Sequence, residues 1–212
     1  MRLFFLVSLI TALCIGTYFH QAQATPPLSD HPPLRLAQAA QTQVGVTLIY
    51  DPRYVGLEYP MGDLPRMRGV CTDVVIRAMR DAWGIDLQEA THKDMKAHFA
   101  KYPTIWGLKS TDRSIDHRRV PNLEVLLTRA GADLPLSSDP AAFETGDIVS
   151  FRLSGSNLPH IGIVSDKHSP DGTPLVTHNI GWGTRTENML FDHKITGHFR
   201  LGKAQRQWLA SR

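Results

Sequence analysis

At Phe143 the hydrophobic pattern of this chain changes its period, and that change limits the folds open to it. Before Phe143 the apolar residues recur at helical spacing; after it they fall in short β-branched runs separated by turn signals. Helices first and strands afterwards is an α+β order. The clearest helix follows Arg68-Gly69-Val70, where Cys71, Val74, Val75, Ala78, Met79 and Ala82 make one apolar face. Gly84 stands where a helix of that phase would stop. Further helices are expected over Leu34–Thr42, Thr91–Ala100 with Thr91 as cap, and Val120–Ala130 starting near Asn122. A strand is expected at Val46–Tyr50, and loop at Gly56–Arg68. The second half reads as an antiparallel meander: Asp147–Leu153, Ile161–Asp166, Leu175–His178, Thr184–Phe191 and Thr196–Leu201.

The N-terminus sets the expected compartment. Arg2, the apolar run Leu3–Gly16 and Ala22-Gln23-Ala24 have the form of a secretory signal peptide over residues 1–24. The apolar run is short for a membrane span of about 20 residues. A Pro-rich leader is then expected over 25–33, a single domain over 34–204 and a polar tail over 205–212. The mature protein would be periplasmic or secreted, with no membrane span remaining. A net charge of +3, with no basic run, argues against nucleic-acid binding.

Signal cleavage would remove Cys14 and leave Cys71 as the only cysteine. No internal disulfide is then possible, and an unpaired cysteine in an exported protein suggests intermolecular pairing or a reactive thiol. Cys71 opens its helix, where free N–H groups and the positive end of the dipole favour a thiolate. A nucleophilic cysteine needs a base, and the base needs a group to hold its ring. Of ten histidines, His20 lies in the signal segment. His160 begins one expected strand and His178 ends the next, so an antiparallel pairing makes them neighbours.

These motifs resemble the papain-like cell-wall hydrolases of the NlpC type. The resemblance rests on Gly69-Val70-Cys71-Thr72-Asp73, Gly146-Asp147-Ile148-Val149, His160-Ile161-Gly162-Ile163 and Val176-Thr177-His178-Asn179. More narrowly, Gly69–Val75, Ile115–Asn122 and His178-Asn179-Ile180-Gly181 resemble the bacterial exported family called domain of unknown function 1287, over about Gln43–Leu201. The likeness implies an NlpC-type papain-like fold, with the cysteine helix packed on a C-terminal antiparallel sheet. It implies a Cys71–His160–His178 triad, no cofactor and no metal, and cleavage of an amide in peptidoglycan stem peptides or a similar peptide substrate. It also points to Tyr59, twelve residues before Cys71, as an oxyanion donor.

The sequence departs from the NlpC pattern in the Thr72-Asp73 pair, in the long His160–His178 interval, and in an enlarged segment over Gly84–Asp139. Within that segment Arg118 or Arg119 can dock a substrate carboxylate or brace the insertion internally. Asn179 can orient the site or form a turn before Gly181. Two other functions use the same residues: a Zn-dependent hydrolase with Cys71, His160 and His178 as ligands, or a cell-envelope binding module without chemistry.

Overall fold

The computed structural model describes residues 27–212, so the signal-peptide reading and Cys14 lie outside the described residues. The chain runs α1 (Pro32–Gln41), β1 (Ile49–Tyr50), β2 (Arg68–Gly69), α2 (Cys71–Trp83), α3 (Leu87–Ala97), α4 (Val120–Arg129), β3 (Ile148–Arg152), β4 (Pro159–His168), β5 (Pro174–Asn179), β6 (Thr184–Glu187), β7 (Lys194–Phe199) and α5 (Lys203–Ala210). Strands β3 to β7 form one antiparallel sheet in the order β6-β5-β4-β3-β7. The meander is as expected up to β6, after which β7 returns to the free edge of β3. The α+β order read from the change of period is therefore the observed one.

Strand alternation divides the core between the two faces of this sheet. Ile148, Ile161 and Ile163 pack with Leu36, Val74, Val75, Ala78, Met79, Leu123 and Leu126, so they face α1, α2 and α4. Val149, Phe151, Val164 and Val176 pack on Phe143, Met189 and Leu190. Both faces of β3 and β4 are thus covered, which is why those strands read as nearly continuous apolar runs. Helix α2 lies against this sheet and α1. It begins after an extended Val70 and ends at Gly84, whose φ of 67° is the left-handed conformation that glycine adopts without strain.

Several local expectations are corrected. Of Val46–Tyr50 only β1 pairs, in parallel with β2, and Val46 and Leu48 are exposed. Helix α3 starts four residues before Thr91. Asp86 is the better cap because its carboxylate accepts the N–H of Gln88 at 3.1 Å, while Thr91 is buried in the helix interior. The Pro-rich leader already turns helical at Pro32, since a first-turn proline loses no intrahelical hydrogen bond. The expected polar tail forms most of α5, with Leu209 buried in the main core and Trp208 packed against it. Among the described residues no helix is long and apolar enough to cross a membrane.

Candidate active site

Cys71 is the first residue of α2 and is 5% exposed. The helix start is built by two buried arginines. Arg77, one turn and a half along, donates to Asp63, to the Thr47 hydroxyl and to the carbonyls of Leu64, Arg66 and Arg68. It thereby fixes the loop that leads into Cys71. Asp73 reaches back to the N–H of Val70 at 2.7 Å and forms a two-point ion pair with Arg118, at 3.0 and 2.9 Å. Asn179, at the end of β5, donates to the carbonyl of Gly69 at 3.1 Å. Three elements distant in sequence therefore hold the Gly69–Asp73 turn in place.

The imidazole pair expected from the sequence is present. Ile163 pairs with Thr177, and that register carries His178 opposite Gly162, with His160 two residues along on the same face. Such diagonal neighbours are about 7–8 Å apart at their backbones, within reach of ring side chains. Gly162 lets the strands meet this closely: a Cβ there would lie 2.5 Å from Val176 and 3.1 Å from the Cβ of His178. His160 Nε2 lies 2.9 Å from His178 Nδ1, and the two rings are nearly perpendicular at 87°.

The chain of contacts continues to a residue that the sequence reading missed. His178 Nε2 is 3.0 Å from Glu187 Oε1 on β6. A carboxylate can only accept, so His178 donates through Nε2 and its Nδ1 is left as an acceptor. His160 must then donate through Nε2, which leaves the Nδ1 lone pair of His160 as the basic position. The Glu187 carboxylate thus dictates both tautomers.

The N–H of Ile161, the peptide joining His160 to Ile161, donates toward Cys71 Sγ, as do those of Thr72 and Cys71 itself. Burial outweighs these donors, with Asp73 adding to it, and pushes the Cys71 thiol up to about 12. Burial also lowers His160 to about 3, with the His178 and His193 rings contributing. The resting pair is therefore a neutral thiol and a neutral imidazole. His178 is lowered by burial against an opposing pull from Glu187.

The remaining expected site residues divide. Tyr59 is not at the cysteine: its ring stands edge-on to His92 at 5.1 Å and beneath Arg113. Tyr50 is the tyrosine of the site. The parallel pairing of β1 with β2 sets Tyr50 opposite Gly69, two residues before Cys71, and Tyr50 and Cys71 line one cleft of about 200 Å³. Burial first, and the nearby Cys71 and Asp73, hold the Tyr50 hydroxyl up at about 12, so it stays a donor. Arg118 lines the same cleft and gives its donors to Asp73 and the carbonyls of Asp51 and Arg53. Asn179 ties β5 to Gly69 and does not orient His160. Arg119 lines the cleft with Asp116 as its side-chain hydrogen-bond partner. The zinc alternative needs a free ring nitrogen on His178, and both are engaged. No group of three His, Cys, Asp or Glu among the described residues is arranged to hold a metal.

The thiol thus stands at the first turn of a helix that lies on an antiparallel sheet, and adjacent strands of that sheet carry an imidazole pair. The chain belongs to the family described as "Domain of unknown function (DUF1287)", matched over residues 37–201. It is similar to "Uncharacterized protein YijF" of Escherichia coli (strain K12), at 48% identity over 199 residues, 92% of this chain and 95% of that protein. Among solved structures, "Structure of NlpC1 from Trichomonas vaginalis" aligns with 78% of this chain at 12% identity and a TM-score of 0.38. The chain spans 43% of the length of that structure.

The buried histidines make the acid limb of stability predictable. His117 is buried, and burial first and then the Arg80 charge lower it to about 3, like His160. The unfolded chain binds protons at these rings near pH 6.5, whereas the folded chain does not. Their contribution is complete above about pH 6.5 and is lost as pH falls, approaching about 1.4 kcal/mol per pH unit for each ring. Urea midpoints measured from pH 7.5 to 5 should therefore fall with acid. His117→Leu, which removes one such ring, should flatten the dependence by about one proton; an unchanged slope would contradict the burial argument.

Proposed function

We propose that this protein is an exported cysteine hydrolase, periplasmic or secreted, that cleaves an amide bond in the peptide part of peptidoglycan. The observation that carries the reading is the His160–His178–Glu187 chain together with a helix-start thiol that takes the N–H of Ile161, the residue after His160. The substrate class rests on the motif resemblance, and the reaction class rests on the geometry.

In this reading the Cys71 sulfur attacks the scissile carbonyl while His160 Nδ1 takes the thiol proton. Because burial keeps both groups neutral at rest, His160 works as a general base during the attack. The oxyanion is met by backbone N–H groups at the start of α2 and by the Tyr50 hydroxyl. His160 then gives its proton to the leaving amine, and the acyl group remains as a thioester on Cys71. Water, deprotonated by the same nitrogen, releases the acid and restores the thiol. Throughout, the Glu187 carboxylate supports the positive charge that His160 acquires, through His178.

Purified sacculi incubated with the protein test the substrate class: release of free amines is expected, and no release would remove it. Glu187→Gln tests the geometry. An amide can present either an acceptor or a donor to His178, so it no longer dictates the tautomers. Turnover is expected to fall roughly 10- to 100-fold, as for other residues that orient a functional histidine, with an unchanged urea midpoint. Full activity in this variant would detach Glu187 from the site. One observation favours a binding module instead, namely the deep burial of the Cys71 thiol; its reactivity decides between the two.

A further inference from the structure

The cleft at Cys71 is lined by one cation with most of its donors unused. Arg119 lies with its guanidinium carbon 4.2 Å above the Trp106 ring and gives Nη1 to Asp116 at 3.1 Å. Its other N–H donors have no partner among the described residues, and its side chain retains 17% exposure. Arg118, one residue earlier on the same cleft, is the opposite case, since Asp73 neutralises it. No acidic side chain among the described residues lines the cleft, whose other walls include Ile115, Val120, Pro121 and Pro159. The result is a small pocket with apolar walls, a nucleophile at one position and a planar cation at another. The aromatic face beneath Arg119 attracts the guanidinium and limits its rotamers. A fork of that kind matches a carboxylate at two points.

We propose that Arg119, held on Trp106, is a carboxylate-binding subsite of the Cys71 cleft. The natural ligand is then an acylated amino acid or peptide terminus with a free carboxylate. At about 200 Å³ the cleft is smaller than the roughly 300–1,000 Å³ of drug-sized sites. The carboxylate and the carbonyl facing Cys71 therefore belong to the same residue or to adjacent ones. That last step rests on the proposed hydrolase reading; carboxylate binding itself does not. The chemistry favours cleavage near a free chain end or beside a carboxylate branch, and disfavours amidated substrates.

The test is binding without turnover. Cys71→Ala protein is titrated with N-acetyl-alanyl-alanine as the free acid and as its C-terminal amide, following the Trp106 indole N–H by NMR. The free acid should shift this resonance and bind at least about tenfold more tightly than the amide, a difference that corresponds to one good charged contact. Arg119→Gln in the same background should bind both forms alike, and Arg119→Lys should recover part of the preference. Equal affinity for acid and amide, no shift with either, or a preference that survives Arg119→Gln would each overturn the subsite. Carboxylate preference in this titration, together with no amine release from sacculi by the unmodified protein, would retain the subsite and remove the hydrolase.

Discussion

Cys71→Ala is expected to abolish amine release from purified sacculi, by at least about 10⁴-fold, while leaving the protein folded. Loss on this scale follows from removing a nucleophile that acts as a unit with its base, so that no partial reaction survives. The side chain is small and borders the cleft, so its removal should cost stability by only about 1 kcal/mol. His160→Ala should reach a similar floor, and the double variant should be no worse than either alone, because the two residues serve one step. Unchanged release in Cys71→Ala would mean that the observed activity comes from another site or from a contaminant. Comparing initial rates of amine release and urea midpoints for the four proteins is sufficient to decide.

The second large effect is on stability. Arg118 and Asp73 are an ion pair with side chains only 2% and 4% exposed. Arg118→Met would strand the Asp73 carboxylate next to Cys71 and leave the carbonyls of Asp51 and Arg53 without this donor. Removing one member of a buried pair costs about 3–5 kcal/mol, mostly from the charge left behind. Asp73→Asn in the Arg118→Met background should recover a substantial part of that loss. A loss below about 1 kcal/mol in the single variant would contradict the brace assigned to Arg118. The same variant bears on the thiol, because the Asp73 charge opposes ionisation of Cys71. Freed from Arg118, that charge should slow thiol chemistry further.

What the sequence made legible was local. The helix from Cys71 to Gly84 could be read because its apolar spacing, its start and its left-handed stop agree. The strands of the sheet were readable from β-branched runs, and the His160–His178 contact followed from one strand's start meeting the next strand's end. What was not legible depended on register. Glu187 reaches His178 only because the turn at Gly181 and Gly183, with φ of 99° and 85°, sets β6 so that Val176 pairs with Glu187. A slip of one residue would turn Glu187 to the other face. The tyrosine was misplaced for a related reason. Counting back from Cys71 selects Tyr59, whereas the parallel β1–β2 pairing folds the intervening loop out and brings Tyr50 to the site. Nothing in the pair Arg118-Arg119 says which residue meets a buried aspartate and which meets an indole. The structure separates them, and the inserted segment thereby both braces the cysteine helix and lines its cleft.

The central claim is that Cys71 is a nucleophile activated by His160, in the tautomer that His178 and Glu187 impose. The most direct measurement is the rate at which iodoacetamide alkylates Cys71 at pH 7, read by mass spectrometry of the peptide that contains it, in wild type, His160→Ala and Glu187→Gln. The account predicts wild-type labelling at least about tenfold faster than in His160→Ala, since only the imidazole can take the proton from a thiol whose own ionisation burial suppresses. Glu187→Gln should fall between them. Equal rates in all three proteins, no faster than a free cysteine, would contradict activation and leave a binding module.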